Sequence, residues 1–372
     1  MMALVAALLS ANSVSAEPAY FTGLGILPGL TGSSAVDISG DGSIVVGNTE
    51  LGQAFRWTRD GGMVGLSEPG VNSSVNRISN DGSTVLGQSG NSYAYWQQQT
   101  GLTILPLKTY EEEIADLSGD GGIIAFYKHM WTQSGGLIGS PNEMHISAMS
   151  LDGKTLTGWD GSLKPASADG YIWSQQGGVK EFGPPYPEQF HLTDPHRFSA
   201  NGKVVVGDGL VKPNGPFGVL RWDEQTGLTN LGLLPDGRRP TSRNYSRADI
   251  SEDGSVIVGA GGVRRDLNYA WIWRESHGVE ELSEVLVNEF GLASQLAGWR
   301  FSEARAVSND GRTIVGTGQN PAGVYEAWIA HLGTPVPEPN AALLVAMTLL
   351  TTFRLRGAPM RKHARHRAES VN

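Results

Sequence analysis

The stretch Ser39-Gly40-Asp41-Gly42-Ser43-Ile44-Val45-Val46-Gly47 holds the pattern that decides the fold. It consists of a Ser-x-Asp-Gly turn followed by an aliphatic run that ends in Gly. The chain repeats this pattern seven times, with its central dipeptides beginning at Asp41, Asp81, Asp120, Asp152, Asn201, Asp253 and Asp310. An Asp-Gly or Asn-Gly pair between two apolar runs predicts a tight β-hairpin, because Gly adopts positive φ without steric cost.

Each copy continues to a tryptophan and then to a glycine that opens another apolar stretch. In the first copy the tryptophan belongs to Ala54-Phe55-Arg56-Trp57, and in the second copy the last stretch is Gly101-Leu102-Thr103-Ile104-Leu105. We assign seven tryptophans to this one repeated position: Trp57, Trp96, Trp131, Trp173, Trp222, Trp273 and Trp328. Runs rich in β-branched residues and bounded by Gly are typical of strands. Each unit is therefore predicted to be a four-stranded meander.

The spacing of the seven turns predicts how the units assemble. Successive anchors are 40, 39, 32, 49, 52 and 57 residues apart, and four strands in roughly 40 to 50 residues match the period of a propeller blade. A single blade cannot bury both faces, so neighbouring blades must stack around an axis. We predict an all-β fold, a seven-bladed β-propeller, that occupies residues 17–333 as one closed domain.

The last unit is short of one strand, which predicts how the ring closes. It supplies three strands, at about 302–308, 312–317 and 324–330. No Gly-led fourth strand follows, whereas the N-terminal stretch 21–28 aligns with the Gly-led stretch 227–235. We therefore predict that residues 20–27 form the outermost strand of the last blade and cover its exposed edge.

Several stretches of these units carry a resemblance to a known repeat. They are 24–29, 34–39 and 45–47 in the first unit, 231–237 further on and 298–316 in the last unit. Over nearly all of residues 20–333 the units resemble the extracellular HAF repeat. The third unit departs from the pattern, with Ala125-Phe126 where Val-Gly is expected, and the name-giving His-Ala-Phe survives only as Ala54-Phe55. The resemblance implies an extracellular repeat protein and brings no assigned activity with it.

The N-terminus has the pattern of a secretory signal peptide over residues 1–16. A short apolar core at 3–9 precedes Val14-Ser15-Ala16, which fits a small-x-small cleavage site. No Lys or Arg precedes the apolar core, which departs from the usual pattern. A buried N-terminal helix is the alternative interpretation.

The C-terminal segment 334–372 has three parts in a fixed order. Pro337-Glu338-Pro339 comes first, an uncharged apolar stretch at 341–353 follows, and the end is basic, with Arg354, Arg356, Arg361, Lys362, Arg365 and Arg367. Thirteen helical residues span about 20 Å, less than the ~30 Å hydrocarbon core. This order is similar to the PEP-CTERM sorting signal, with Pro337, Glu338 and Pro339 as its motif.

That resemblance implies a partner and a location. The partner is an exosortase-type processing enzyme in a Gram-negative cell that makes exopolysaccharide. A short C-terminal apolar helix would hold the chain in the membrane before processing. An ordinary tail anchor is the alternative. We predict a protein exported to the cell envelope or the extracellular matrix.

Composition excludes some classes of function. Six of the 28 basic residues and one of the 37 acidic residues follow residue 353, which leaves 22 basic and 36 acidic residues before it and a formal charge of −14. A domain this acidic is not expected to bind nucleic acid. Cysteine is absent, so disulfides and thiol chemistry are excluded.

Two sets of polar residues suggest chemistry. Asp37-x-Ser39-x-Asp41-Gly42 is similar to the opening of a calcium loop, and similar runs begin at Asp116 and Asp249. The twelfth positions lack the acidic ligand that such loops use, since they are Asn48, Tyr127 and Ala260. We interpret these Asp residues as turn formers. A second set, His191, Asp194, His196 and Arg197, has the residue types of a metal or acid–base site, but we interpret it as a group of solvated loop residues. We predict no catalytic residue, metal or cofactor.

A short helix is predicted over residues 283–296. Leu282, Val285, Leu286 and Phe290 recur at helical spacing, and Ser283 is a plausible N-cap. We expect this helix to pack on the propeller, and the alternative is a helix that binds a partner.

Binding is expected on one face of the propeller. The Asp-Gly turns and the turns after the repeated tryptophan share one face and vary little, whereas the second turns and the connections between blades share the other face and vary greatly. Variable loops on a rigid scaffold are where binding usually resides. Two of these loops carry the candidate anion-binding residues Arg238, Arg239, Arg243, Arg247, Arg264 and Arg265.

The function that these observations favour is that of a non-catalytic surface or matrix protein that binds a glycan, such as exopolysaccharide, or another envelope protein. The alternative is a glycan hydrolase or lyase that uses the propeller face. Such an enzyme needs carboxylates that converge on one face, and no such set is evident from the sequence.

Overall fold

A computed structural model of the chain describes residues 17–333, apart from 69, 109–112, 142–143, 160–169, 183–190, 212–216, 241–247 and 263–267. The predicted signal peptide, Pro337, Glu338, Pro339 and the apolar stretch 341–353 lie outside the described residues. No helix within the described part is long and apolar enough to cross a membrane. The compact unit Pro18–Leu332 contains seven four-stranded sheets.

The strand β1 (Tyr20–Gly23) precedes the first blade, and blades 1 to 4 then follow one another along the chain. Blade 1 contains β2 (Ser33–Ile38), β3 (Ile44–Thr49), β4 (Ala54–Thr58) and β5 (Gly62–Gly65). Blade 2 contains β6 (Ser73–Ile78), β7 (Thr84–Ser89), β8 (Ser92–Gln97) and β9 (Gly101–Lys108). Blade 3 contains β10 (Ile114–Leu117), β11 (Ile123–Phe126), β12 (His129–Thr132) and β13 (Gly136–Gly139). Blade 4 contains β14 (His145–Met149), β15 (Thr155–Trp159), β16 (Tyr171–Ser174) and β17 (Gly178–Glu181).

The remaining blades include one helix. Blade 5 contains β18 (His191–Phe198), β19 (Val204–Leu210), β20 (Phe217–Asp223) and β21 (Gly227–Asn230). Blade 6 contains β22 (Asp249–Ile250), β23 (Val256–Gly261), β24 (Tyr269–Arg274) and β25 (Gly278–Glu281), after which comes α1 (Leu282–Asn288). Blade 7 contains β26 (Arg300–Val307), β27 (Thr313–Gln319) and β28 (Tyr325–His331), together with β1. The seven-bladed β-propeller predicted from the repeat is confirmed.

The ring closes as predicted, with the N-terminal strand on the outside of the last blade. β1 pairs antiparallel with β28, in a register that sets Tyr20 opposite His331 and Gly23 opposite Trp328. The strand ends at Gly23 rather than at residue 27, although the N–H of Leu24 still donates to the carbonyl of Ala327 at 2.8 Å. The two ends of the propeller domain are therefore held in one sheet.

The first strand of each blade lies innermost, and nearly all of these strands are bulged. Neighbouring innermost strands contact each other around the axis, in the order β2, β6, β10, β14, β18, β22 and β26, and β26 contacts β2. In blade 1 the pairing passes from Ala35 with Gly47 to Asp37 with Val46, so that Val36 is an extra residue. The same irregularity occurs at equivalent positions of β6, β10, β14, β18 and β26. A bulge bends its strand and re-aims the following side chain.

The glycine that ends the aliphatic run in blades 1, 2, 4 and 7 is explained by this bulge. A Cβ added to Gly47 would lie 2.1 Å from the carbonyl oxygen of Ser34, and one added to Gly316 would lie 2.0 Å from that of Glu303. These separations are far below van der Waals contact, so a side chain cannot be placed there without moving the backbone. In these blades the run ends in Gly because the backbone of the bulged inner strand leaves no room for a side chain there.

The assignment of Trp328 to the repeated tryptophan position is wrong. Trp57 lies opposite Val45, the second residue of the aliphatic run, and the tryptophans of blades 2 to 6 have equivalent partners. Trp328 instead lies opposite the run-ending Gly316, where blade 1 has Phe55. Six tryptophans thus share one position, and Trp328 packs in the core, two residues earlier in its strand.

The helix is shorter than predicted, and its cap differs. It covers Leu282–Asn288, its N-cap residue is Glu281, and no side chain caps it. The hydroxyl of Ser283 donates to the Glu281 carboxylate at 3.0 Å instead of capping the helix. Leu282, Val285 and Leu286 are buried in the cluster that also contains Phe21 and Trp328, so the predicted packing of the helix on the propeller is confirmed.

Candidate functional site

The innermost strands bring five charged side chains together on the propeller axis. They occupy one repeated position, two residues before the Ser of each Ser-x-Asp-Gly turn. Read around the ring, that position holds Asp37, Arg77, Asp116, Ala148, Arg197, Asp249 and Ala306. We call Asp37, Arg77, Asp116, Arg197 and Asp249 the axial cluster. It contains one more carboxylate than guanidinium groups.

Arg197 is the centre of the axial cluster. Its Nε lies 2.6 Å from Asp249, its Nη1 3.2 Å from Asp116 and its Nη2 3.3 Å from Asp37. The Nε of Arg77 adds a second contact to Asp116 at 3.3 Å. The Arg197 side chain is 16% exposed and its three partners are 5 to 9% exposed. One guanidinium group therefore links four blades, its own and those of its three partners, across the axis and with little exposure to water.

Burial sets the protonation behaviour of this cluster. The loss of hydration raises the pKa of Asp37 above its usual value, although Arg197 and Arg77 act in the opposite direction. Burial also opposes the charge of Arg197, but the three carboxylates outweigh it and raise the pKa of its guanidinium. Arg197 therefore stays charged at every pH at which the protein is folded.

The three axial carboxylates also bind the backbone of the next blade. Asp37 accepts a hydrogen bond from the N–H of Ile78 at 3.1 Å. In the same geometry Asp116 accepts from Met149 at 3.0 Å, and Asp249 from Val307 at 2.8 Å. The interpretation of Asp37, Asp116 and Asp249 as turn formers is wrong, because each is a buried link between blades. The structure also supplies the converging carboxylates that are not evident in the sequence.

The turn residues proper are the aspartates of the Ser-x-Asp-Gly motif. In blade 3 the Asp120 carboxylate accepts from the Ser118 hydroxyl at 2.7 Å and from the N–H of Gly122 at 2.9 Å. Ser118 in turn accepts from the N–H of Ile123 at 2.8 Å. The N–H of Gly122 and the Ser118 hydroxyl hold the pKa of Asp120 below its usual value. These bonds explain why Ser, Asp and the glycine at positive φ recur together.

The same turns form a belt of backbone hydrogen bonds around the ring. At six junctions a turn donates to the turn of the next blade: Gly40 to Asn80, Asp81 to Gly119, Gly119 to Leu151, Asn201 to Glu252, Glu252 to Asn309 and Asn309 to Gly40. Among the described residues, the junction of blades 4 and 5 lacks this bond. The belt and the axial cluster together hold the inner ends of the blades.

Replacing a turn aspartate should separate the contribution of its charge to stability from the contribution of its hydrogen bonds. The fifth copy already has Asn201, whose Oδ1 accepts from Ser199 at 2.9 Å and from the N–H of Lys203 at 3.0 Å. We therefore expect Asp120→Asn to fold normally and to cost about 1 kcal/mol or less at pH 7, and Asp120→Ala to cost more, because it removes both bonds.

The pH dependence checks that expectation. The pKa of Asp120 is lowered in the folded state, so its contribution is present above the unfolded value of about 3.9 and is lost as the pH falls through the folded value. The difference between wild type and Asp120→Asn in urea unfolding should therefore shrink below pH 4. A difference that grows toward acid pH contradicts this account.

The cavity beside the axial cluster is too small for an organic ligand. Its volume is about 70 Å³, and its lining includes Asp37, Arg77, Asn80, Arg197 and Asn309. Pockets that bind small molecules usually enclose about 300–1,000 Å³, whereas a space of this size holds a few water molecules. The axial cluster therefore links the blades at the centre of the ring.

The predicted group of solvated loop residues is not in a loop. His191, Asp194, His196 and Arg197 all belong to the innermost strand β18. His196 is 1% exposed, and its Nε2 accepts from the N–H of Ala248 at 3.1 Å. The prediction is wrong for His196, which is buried, and for Arg197, which is half-buried and ion-paired at the axis. Within the described residues, no group of three or more His, Cys, Asp or Glu is placed to hold a metal ion.

Two of the six predicted anion-binding arginines can be placed. Arg238 forms ion pairs with Asp236 and Glu281 and lies over the Tyr269 ring, 4.0 Å from its centroid. Arg239 donates from Nη1 to the carbonyl of Phe217 at 3.5 Å. The other four, Arg243, Arg247, Arg264 and Arg265, lie outside the described residues. The charge of Arg238 is already balanced within the propeller.

A cluster of three aromatic side chains lies at the ends of strands that face the variable loops. The rings of His145 and Trp159 stack at 5.3 Å between centroids, and Tyr127 meets Trp159 edge-on at 5.9 Å. These residues stand at the start of β14, at the end of β15 and just after β11, which is the end of the blades away from the Asp-Gly turns. This face therefore offers aromatic surface to a ligand.

Two larger grooves lie between blades. One, of about 1000 Å³, lies between blades 1 and 2. The other, of about 650 Å³, lies between blades 4 and 5 and is lined by side chains of both signs, including Lys180, Arg221, Asp223 and Glu224. Each is large enough for an oligosaccharide or a peptide segment. Both include Asp-Gly turn residues, so they are not confined to the variable-loop face on which we expect binding.

Comparison with known proteins supports the fold. An oligogalacturonate lyase from Vibrio parahaemolyticus is 12% identical to this chain, with a TM-score of 0.58 over 85% of this chain and 97% of the lyase. TolB from Acinetobacter baumannii is 16% identical, with a TM-score of 0.45 over 65% of this chain and 61% of TolB. No family model and no curated protein matches the sequence. At this level of identity the likeness to the lyase shows a shared β-propeller, a fold that an enzyme also uses.

Proposed function

We propose that this chain is an exported, non-catalytic β-propeller of the cell surface or extracellular matrix, and that it binds a glycan. The observation that supports the proposal is how the axial carboxylates are bonded. Asp37, Asp116 and Asp249 are the described acidic residues that converge on the propeller axis, and each one is held by Arg197 and by a backbone N–H of the next blade. A general acid or base must exchange protons with a substrate, and these groups are committed to holding the ring together.

The ends of the chain support the proposed location. Residues 1–16 have the pattern of a signal peptide, and residues 334–372 are similar to a PEP-CTERM sorting signal, with Pro337-Glu338-Pro339 before an apolar stretch and a basic end. The HAF-like units are typical of extracellular repeats. We infer export, processing by an exosortase-type enzyme and retention near exopolysaccharide.

The alternative function is a glycan lyase or hydrolase. The solved lyase with the same fold is named for oligogalacturonate, which makes this acidic oligosaccharide a necessary test compound. The experiment is a glycan array with the full chain, followed by product analysis on every glycan that binds. Binding without bond cleavage supports our proposal. Turnover of any array glycan by the wild type would overturn it, and the variants Asp37→Asn, Asp116→Asn and Asp249→Asn would then show whether the axial carboxylates take part in catalysis.

We expect the mature protein to lack the basic end. The 13-residue apolar stretch is too short for a stable span, which fits a transient anchor better than a permanent one. Intact mass of protein taken from the native envelope measures this directly. A mass that still includes residues 354–372 contradicts processing and favours the ordinary tail anchor.

A further inference from the structure

The groove between blades 1 and 2 has an unusual lining for this acidic chain. The described residues that form it include one basic side chain, Arg56, and no acidic one, whereas the chain as a whole has nine more acidic than basic residues. Among the described residues, Arg56 has no salt-bridge partner. Arg56 is therefore the one charged side chain among the described lining residues, and it is a cation.

The rest of the lining suits a sugar chain. Trp96 and Val85 are buried residues of its floor. Val64 is 58% exposed and Leu102 is 44% exposed, and both line the groove. The lining also includes uncharged hydrogen-bonding side chains, namely Ser83, Gln97, Gln98, Gln99 and Thr100. Sugar rings present apolar C–H faces and hydroxyl edges, so a lining that combines apolar surface with amides and hydroxyls matches them.

The geometry places the charge beside the apolar wall. Arg56 in β4 is paired with Val64 in β5, so their side chains share one face of blade 1. The residues from Gln97 to Leu102 form the opposite side, at the turn between β8 and β9. A chain lying in the groove would meet the guanidinium on one side and amides on the other.

We propose that this groove binds a glycan chain that carries uronic-acid carboxylates. Arg56 would pair with a carboxylate, Val64 and Leu102 would contact ring C–H faces, and the Gln and Thr side chains would bind hydroxyls. The groove between blades 4 and 5 is a poorer candidate, because two of its three lining cations already pair with lining carboxylates, Lys180 with Glu224 at 2.9 Å and Arg221 with Asp223. This inference rests on the proposed glycan-binding function and names the site and ligand class.

The test uses the full chain, a uronic-acid hexamer and a neutral glucose hexamer in titration calorimetry. The wild type should bind the uronate chain more tightly than the neutral one, with an affinity that falls as salt rises. Arg56→Gln should weaken uronate binding by about tenfold or more, the range expected for a lost charged hydrogen bond, and should leave any binding of the neutral hexamer unchanged.

A pair of matched leucines provides the control. Leu102 and Leu137 each follow the Gly that opens the last strand of a blade, and they are 44% and 45% exposed, but only Leu102 lines the groove. Leu102→Asp should abolish uronate binding, and Leu137→Asp should bind like the wild type. Unchanged melting temperatures show that each variant is folded.

The outcomes separate this inference from the broader proposal. Failure of the wild type to bind the uronate hexamer overturns the inference, as does an Arg56→Gln variant that binds it normally. Uronate binding that is lost in an Arg238→Gln variant and kept in Arg56→Gln also overturns it, but leaves a glycan-binding propeller. Cleavage of the hexamer by the wild type overturns the non-catalytic function as well.

Discussion

Replacement of Arg197 by Ala is expected to destabilise the propeller by about 3–5 kcal/mol, the range measured when one partner of a buried ion pair is removed. The substitution leaves Asp37, Asp116 and Asp249 buried at the axis with Arg77 as the one remaining guanidinium of the cluster. Three carboxylates so close together repel one another in a setting of low dielectric constant. Urea unfolding followed by tryptophan fluorescence measures the loss.

Two features separate this cause from a simple loss of packing. Burial already raises the pKa of Asp37, and Arg197 opposes that rise, so without Arg197 this pKa should rise further. The penalty for the charged Asp37 is then largest at neutral pH and falls as the pH approaches the unfolded value of about 3.9. Asp249→Asn, added to Arg197→Ala, should restore part of the stability, because it removes one charge and keeps an oxygen for the N–H of Val307.

The surface arginine Arg238 is the matched control. Its ion pairs with Asp236 and Glu281 are exposed, so Arg238→Ala should cost at most about 1 kcal/mol. Equal losses for Arg197→Ala and Arg238→Ala would contradict a central role for the axial cluster. A deficit of Arg197→Ala that is the same at pH 4 and pH 7 would indicate lost packing instead of unpaired charge.

The local part of the fold could be predicted because it depends on neighbours in sequence. The Ser118–Asp120–Gly122 turn closes through bonds between residues two to five apart, so its signature is visible in any one copy. The axial cluster depends on long-range contacts. Arg197 meets Asp37 across 160 positions of the sequence, and no single copy indicates that partnership.

The repeat nevertheless contains a signal for the axial cluster. When the seven copies are aligned on the Ser, the position two residues earlier holds charges of both signs between apolar residues: Asp, Arg, Asp, Ala, Arg, Asp and Ala. When one inward-facing position of a ring of blades holds charges of both signs, the side chains at that position are predicted to form ion pairs with one another. The interpretation as turn formers followed the similarity to a calcium loop and treated each copy separately, so it missed this pattern.

The assignment of Trp328 to the repeated position contains a related error, because it was based on residue type and not on strand register. In the sequence Ala54-Phe55-Arg56-Trp57 the tryptophan is three residues after the alanine, whereas Trp328 directly follows Ala327. Aligning the alanines assigns Trp328 to the position of Phe55, in agreement with its pairing opposite Gly316. The bulges of the inner strands have no comparable local signature, although the glycines opposite them recur.

Removal of the N-terminal strand is the second change with a large expected effect. Phe21 is 5% exposed, and its ring lies 5.2 Å from that of Phe301, 5.1 Å from Trp299 and 6.1 Å from Trp328. Truncating a phenylalanine in such a core costs about 3–5 kcal/mol, so Phe21→Ala should lower the free energy of unfolding by that amount. Deleting residues 17–27 should cost more, because it also exposes the edge of β28.

The neighbouring Thr22 supplies the control within the same strand. Its side chain is exposed, so Thr22→Ala keeps the backbone pairing with Ile329 and should change stability by no more than about 0.5 kcal/mol. Adding back a peptide of residues 17–27 should partly restore the melting temperature of the deletion variant, since it can pair with β28 in trans. A deletion that leaves the melting temperature unchanged would show that the ring closes without β1, and would refute the role assigned to this strand.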